Sequence, residues 1–150
     1  MSQSLSKLYV HIIFHVKKEE ELIRPEDEKE LYAYIGGIIK HLSSFPVKIN
    51  GMGNHIHVLS TLSKNISLAD FVEEIKKNSS RWIKTKGAHY RNFAWQSGYA
   101  GYSVSQSKVA TVEKYIERQK EHHRAVSFRE EYLRFLNKND VAFNEAYLWI

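Results

Sequence analysis

The chain has 150 residues, which suit a single domain that buries about two-thirds of the surface exposed by its unfolded form. It contains no cysteine, so disulfides and thiolate metal sites are excluded and any metal must be bound by histidine, carboxylate or amide groups. The formal net charge of +5 at pH 7 is compatible with a nucleic-acid partner. No apolar run approaches the ~18 residues of a membrane span and no signal peptide begins the chain, so we expect a cytoplasmic protein without a membrane partner.

The first predicted strand covers residues 8–16. Every second side chain from Val10 to Val16 is apolar, whereas the other row is half polar and includes His11 and His15. We interpret both histidines as strand-face residues, and His11 would lie near a later histidine pair if the two strands are neighbours. A helix then follows from Pro25 to about Leu42, because proline and acidic residues favour its first turn.

A β-hairpin is predicted next, with strands at 47–52 and 55–62 joined by the turn pair Gly53-Asn54. Side chains alternate between the faces of a strand, so His55 and His57 point to one face while the residue between them points into the core. Two imidazoles on one face can share a divalent metal ion. A half-buried strand with two polar faces is the alternative for this spacing.

A long helix capped by Ser67 is predicted from Leu68 to about Lys86. Its polar side mixes amide and hydroxyl groups with cations, and such groups hydrogen-bond phosphate oxygens. The candidate DNA-binding residues are Lys76, Lys77, Ser80, Arg81, Lys84 and Lys86. A solvated helix face is an equally good interpretation of this stretch.

Aromatic residues alternate with basic ones in the predicted loop at 87–98, where Tyr90, Phe93 and Trp95 lie close to Arg91. Such rings can stack on unpaired bases for ~1–3 kcal/mol each. They can equally anchor the loop to the core, and the pattern leaves both possibilities open.

A last strand at 99–105 precedes a helix predicted over about 108–123. On that helix Tyr115, Gln119 and His122 fall on one side, beside the apolar stripe. A tyrosine kept off the core, with an amide one turn later, is unusual for packing alone. We therefore treat Tyr115 and Gln119 as candidate site residues.

The C-terminal part is predicted to contain one more helix, opened by a capping box of Ser127 and Glu130. Residues 137–150 are expected to form an irregular tail that packs on this chain or on a partner. No internal repeat, low-complexity tract or linker divides the chain. We therefore expect one α+β domain over residues 1–150.

Together these residue types suit phosphodiester cleavage. A metal ion polarises a non-bridging oxygen, and a tyrosine attacking in line forms a covalent phosphotyrosine that keeps the bond available for rejoining. Tyr115 would be the nucleophile. His55, His57 and Gln119 would be neutral ligands that leave positions open for phosphate and water on Mg²⁺ or Mn²⁺.

Four segments make a family resemblance specific because they occur together in this order. They are the His-Ile-His motif after a glycine turn, residues 77–82 (KNSSRW), residues 95–105 (WQSGYAGYSVS) and residues 115–123 (YIERQKEHH). Over nearly its whole length the chain resembles the small single-tyrosine HUH transposases of the insertion sequence 200/605 family.

The resemblance implies that His55 and His57 bind the metal, that Tyr115 is the nucleophile and that Gln119 is a further ligand. It also implies a ferredoxin-like antiparallel sheet with helices packed on one face. The implied partners are single-stranded DNA with hairpins at the element ends and a second subunit in a homodimer. An enzyme of this kind is expected to be nucleoid-associated.

The resemblance raises one further expectation and shows one departure. The tyrosine helix of one subunit is expected to complete the histidine pair of the other, with a site completed within each chain as the alternative. Many relatives have aspartate where this chain has Asn54, which removes a negative charge beside the site.

Three other functions remain open at this point. One is an HUH nuclease of plasmid replication or mobilisation, and another is a domesticated relative acting on chromosomal repeats. The third is a non-catalytic single-strand-binding protein, in which Tyr9, Tyr99 and Tyr102 would be stacking platforms.

Overall fold

The structure, a computed structural model, describes residues 2–150 and contains one four-stranded antiparallel sheet in the order β2-β3-β1-β4. The strands are β1 (Leu8–His15), β2 (Pro46–Met52), β3 (His55–Leu62) and β4 (Ala100–Val104). Helix α1 (Pro25–His41) connects β1 to β2, and α2 (Leu68–Ile83) connects β3 to β4. This βαββαβ order confirms the predicted ferredoxin-like α+β fold.

The larger hydrophobic core lies between the sheet and the pair α1 and α2. Because strand side chains alternate, Ile12 and Phe14 of β1 and Ile56 and Val58 of β3 all point to this face, where they are fully buried. Each such side chain contributes roughly 1.5–3 kcal/mol relative to an exposed one. The core therefore fixes which face of β3 carries the histidines.

The opposite face of the sheet is covered by helices from the C-terminal part of the chain. They are α3 (Val109–Glu117), α4 (Gln119–His122) and α5 (Phe128–Lys138). Phe128, Tyr132 and Leu136 of α5 form a second, smaller core with Ile13 and Tyr102. The predicted packing of helices on one face thus describes α1 and α2, while α3 to α5 add a layer on the other face.

The helix predicted over 108–123 is interrupted at Arg118, which separates α3 from α4. The side-chain amide of Asn50 donates to the carbonyl oxygens of Ile116 and Glu117, at 2.9 and 3.3 Å. An uninterrupted helix would use these carbonyls for its own backbone bonds. The competing bonds from β2 give a physical reason for the break.

The end of α2 and the packing of the tail refine the sequence prediction. Helix α2 ends at Ile83 and continues as a short 3₁₀ turn over Lys84–Lys86. The tail packs on its own chain through Leu148 and Trp149, which contact the smaller core. None of the helices in the part of the chain that the structure describes is long and apolar enough to cross a membrane.

Candidate active site

The histidine pair lies on β3, on the face that α3 to α5 cover. His55 and His57 are both fully buried, and their ring centroids are 5.2 Å apart. The alternation of strand side chains, with Ile56 in the larger core, places both imidazoles on this face as the sequence predicts.

Each imidazole of the pair is oriented through its Nδ1 atom. His55 Nδ1 lies 2.7 Å from Asn54 Oδ1, and His57 Nδ1 lies 2.8 Å from Nε2 of His11 on the neighbouring strand. A partner at Nδ1 fixes the ring and turns the other nitrogen toward the site. Asn54 therefore keeps the acceptor oxygen that an aspartate would present, although it lacks the charge.

Both Nε2 atoms point to side-chain oxygens from the C-terminal helices. His55 Nε2 is 2.9 Å from Gln119 Oε1, and His57 Nε2 is 3.0 Å from Glu131 Oε1. Gln119 and Glu131 are almost completely buried. The structure thus brings Gln119 to the histidine pair, and it adds a carboxylate that the sequence analysis did not single out.

Tyr115 reaches the same group of atoms. Its hydroxyl donates to Oε2 of Glu131, and the Gln119 amide donates to that oxygen at 2.9 Å. Its ring lies 5.9 Å from the ring of His57, centroid to centroid. The sequence-based expectation that the tyrosine serves a partner subunit differs from this arrangement, because Tyr115 lies beside His57 of its own chain and bonds to Glu131.

Burial and hydrogen bonding set the charges of these groups. Burial lowers the pKa of His55 to about 4, so this imidazole is neutral at pH 7. Burial, together with the adjacent Glu131 carboxylate, raises the pKa of Tyr115 above its usual value. Burial also opposes ionisation of Glu131, but hydrogen bonds from three histidines outweigh it and hold that pKa below its usual range.

The donor set fits a divalent cation. A neutral imidazole has one N–H, and when His55 donates it to Asn54, its Nε2 lone pair faces the oxygen of Gln119. In this tautomer the facing lone pairs repel each other, and a cation between them would remove that cost. His55, His57 and Glu131 each offer a ligand atom within 4.8 Å of the others, in a mixture of nitrogen and oxygen that first-row cations accept.

A pocket of about 280 Å³ opens beside Tyr115 and Glu131. Its lining includes His122 and, on the outward side of α5, Arg134 and Lys138. The side chain of Arg134 is 67% exposed, so its charge can meet a phosphate in solution. The pocket therefore makes the surroundings of the Tyr115 side chain accessible from solvent.

The predicted DNA-binding residues of α2 lie elsewhere. Helix α2 packs on the face of the sheet that carries the larger core, which places its polar side across the sheet from Tyr115. Arg81 and Lys84 are exposed, and Ser80 is half-buried. The structure therefore does not bring these residues to the nucleophile.

The three remaining lysines of this set make contacts within the chain. The ammonium group of Lys76 donates to the carbonyl oxygens of Gln96 and Gly98, at 2.7 and 2.8 Å. Lys77 pairs with Glu74 one helical turn away, and Lys86 pairs with Glu30 of α1. Lys76 in particular holds the loop before β4 in place.

The aromatic residues of the loop at 87–98 are anchors rather than stacking platforms. Tyr90, Phe93 and Trp95 are buried in the larger core, so their faces are not available to bases. Tyr102 is also buried and stacks on Phe135, with ring centroids 5.7 Å apart. Of the stacking positions considered for a single-strand-binding protein, Tyr99 stays exposed.

Glu131 is the main site residue missed by sequence reasoning. It shares one face of α5 with Phe128, Tyr132 and Phe135, at the i, i+3 and i+4 spacings of a buried stripe. An acid within an apolar stripe is the signal that could have revealed it, because buried carboxylates need partners.

Comparison with known proteins finds one matching family and similar solved structures. The sequence model of the family described as "Transposase IS200 like" matches residues 4–119. A crystal structure of a protein assigned as a transposase from Deinococcus radiodurans R1 is similar, with a TM-score of 0.61, 24% identity, and coverage of 79% of this chain and 98% of that one.

A second solved structure is that of a REP-associated tyrosine transposase bound to a REP hairpin. It has a TM-score of 0.60 and 16% identity, and the match covers 96% of this chain and 93% of that one. At these identities both structures show a shared fold. No curated protein matches the chain.

Proposed function

The chain belongs to the IS200-like transposase family, and on this premise we propose that it cleaves and rejoins single-stranded DNA through a 5′-phosphotyrosine formed at Tyr115. The observation that carries the proposal is the convergence of Tyr115, Gln119 and the two Nε2 atoms of the histidine pair at one buried carboxylate. A structural histidine pair would not need a tyrosine hydroxyl and an amide at the same point.

His55, His57 and Gln119 would hold Mg²⁺ or Mn²⁺ through two imidazole nitrogens and one amide oxygen. Such an ion supplies positive charge that polarises a non-bridging oxygen of the scissile phosphate. Asn54 and His11 hold the Nδ1 atoms of the two imidazoles, which directs both Nε2 atoms at the oxygens of Gln119 and Glu131, where the ion would bind.

Tyr115 performs the covalent step. Its hydroxyl oxygen loses its proton and bonds to phosphorus, the 3′-oxygen of the preceding nucleotide leaves and is protonated to a 3′-hydroxyl, and the 5′-phosphate stays on the tyrosine. In the reverse step a 3′-hydroxyl attacks the phosphotyrosine and Tyr115 departs, which joins two strands without another energy source. Until the attack, the hydrogen bond to Glu131 aims the hydroxyl.

DNA recognition would use surfaces outside the reacting centre. We propose that the α2 residues Lys76, Lys77, Ser80, Arg81, Lys84 and Lys86 form a backbone-binding face, with the exposed Arg81 and Lys84 as its main phosphate contacts. Arg134 and Lys138 border the tyrosine pocket and would hold the cleaved strand. A DNA hairpin with a single-stranded flank would fit two separate binding surfaces of this kind. The similar fold of a tyrosine transposase bound to a hairpin supports this choice of DNA. A homodimer in the nucleoid remains part of the proposal.

The test uses oligonucleotides copied from the DNA on both sides of the gene, including any palindromes found there, each with single-stranded tails. With Mn²⁺, the wild-type protein should leave a covalent protein–DNA adduct on a denaturing gel. Tyr115→Phe should leave none, yet it should bind the hairpin as tightly, because it loses one oxygen and keeps the ring. Tyr99→Phe is the matched control and should react normally. An adduct formed by Tyr115→Phe would contradict the assignment of the nucleophile.

A further inference from the structure

Glu131 is the most heavily bonded side chain of the site, although it lies beyond the residues that the family match covers. It is 1% exposed, on α5. Hydrogen bonds or close approaches link it to two imidazoles of β3, two imidazoles that follow Gln119, the Gln119 amide and the Tyr115 hydroxyl. A carboxylate with so many polar partners has a role beyond packing α5 against the sheet.

The two carboxylate oxygens face different groups. Oε1 lies 3.0 Å from His57 Nε2 and 3.4 Å from His55 Nε2. Oε2 accepts from the hydroxyl of Tyr115 and from the amide of Gln119. Oε1 thus lies beside the proposed ligand atoms of the histidine pair, whereas Oε2 bonds to the proposed nucleophile.

The charge of this carboxylate also needs a partner. Burying an ionised carboxylate is costly unless a positive charge lies beside it. Over residues 2–150 the basic side chains within 4 Å of Glu131 are all histidines, which carry a charge only when protonated, and none is a lysine or an arginine. A divalent cation next to Oε1 would satisfy the charge, and Mg²⁺ and Mn²⁺ prefer carboxylate oxygen to amide oxygen.

We propose, resting on the proposed function, that Glu131 is a fourth protein ligand of the divalent cation through Oε1, while Oε2 positions the Tyr115 hydroxyl. One carboxylate then links the metal to the nucleophile, and α5 becomes part of the active site. The cation would have two imidazole nitrogens, one amide oxygen and one charged oxygen from the chain, with room for phosphate.

The first test measures Mn²⁺ affinity by calorimetry. Glu131→Gln, which keeps the size of the side chain and removes its charge, should weaken binding at least about tenfold, as the loss of a metal-site partner does. Glu130→Gln is the matched control, because Glu130 is the exposed neighbour on the same helix. Glu131→Asp should regain part of the affinity, since it restores the charge. Circular dichroism confirms that each variant is folded.

A second test needs no variant of the buried residue. In wild-type protein with ¹³C-labelled glutamate, saturating Mg²⁺, which is diamagnetic, should shift the carboxylate signal of Glu131 and leave that of Glu130 unchanged. The inference is overturned if wild type binds Mn²⁺ and forms the adduct while Glu131→Gln binds Mn²⁺ equally well, or if the Glu131 signal does not shift when Mg²⁺ binds. Failure of the wild type to bind Mn²⁺ or to form an adduct would instead overturn the proposed function.

Discussion

Asn50 on β2 donates its side-chain amide to the main-chain carbonyl of Ile116, the residue after the candidate nucleophile, at 2.9 Å. A second attachment lies one turn further, where Lys120 forms an ion pair with Glu28 of α1 at 2.8 Å. These bonds tie the segment around Tyr115 to the sheet and to the first helix of the same chain. The placement of the tyrosine therefore depends on polar contacts outside the active site.

We expect Asn50→Ala to slow adduct formation by about tenfold, because small displacements of a reacting group are costly in rate. The lost hydrogen bonds should lower the free energy of unfolding by only about 1 kcal/mol. Hairpin affinity should not change, since the side chain lies away from the predicted DNA contacts. Single-turnover kinetics on a denaturing gel checks the rate, with the exposed Asn65→Ala as control. An unchanged rate would mean that Asn50 does not position the helix.

Local sequence patterns predicted much of the fold and part of the site. The β3 strand, the shared face of His55 and His57, and the cap at Ser127 depend on neighbours in the chain, which periodicity and capping describe. The role of Glu131 depends on contacts with residues as distant as His57, 74 positions away. Likewise, the break at Arg118 depends on Asn50, which no pattern within the helix contains. These features depend on polar contacts between residues far apart in the chain, which local sequence patterns do not describe.

His11 offers a test of how the histidine pair is oriented. Its Nε2 atom holds His57 Nδ1, so His11→Ala should lower Mn²⁺ affinity by about 10- to 100-fold, as is typical when the partner of a metal-binding histidine is lost. His57→Ala should lose more, because it removes a proposed ligand. His15→Ala should retain most of the affinity, since His15 packs against Phe128 and Trp149. Calorimetric titration gives the ranking, and equal affinity in wild type and His11→Ala would refute the orienting role.

The α2 cations are expected to differ in what they do. Arg81→Ala and Lys84→Ala should each reduce the magnitude of the salt slope of log K by about 1, to a similar extent for a hairpin and for unrelated single strands. Lys76→Ala should mainly lower thermal stability, because Lys76 bonds the carbonyls of Gln96 and Gly98. Fluorescence anisotropy over a range of NaCl concentrations measures the slopes. If neither exposed cation changes the slope, this helix face is merely solvated.

The pH dependence of stability should depend in part on His15. Burial lowers its pKa from the ordinary 6.5 to about 4, so between these values the unfolded chain binds a proton that the folded chain does not. The contribution to stability is therefore present above pH 6.5 and is lost as the pH falls toward 4. Allowing for partial exposure, we expect His15 to account for about 1 kcal/mol of the loss between pH 7 and pH 5. Urea unfolding at both values should show a smaller loss for His15→Gln than for wild type, and equal losses would contradict this role.

Subunit mixing decides whether each chain completes its own site. The resemblance to single-tyrosine transposases predicts shared sites, whereas the structure brings Tyr115 to His57 and Glu131 of one chain. Neither His57→Ala nor Tyr115→Phe should cleave as a homodimer. With self-contained sites, every site of a mixed dimer carries one lesion, so we expect no activity after the subunits have exchanged. With shared sites, one site of the mixed dimer would carry both lesions and the other none, and activity would return. Differently tagged subunits, purified through both tags, establish the exchange, and an adduct formed by that material would overturn the arrangement within one chain.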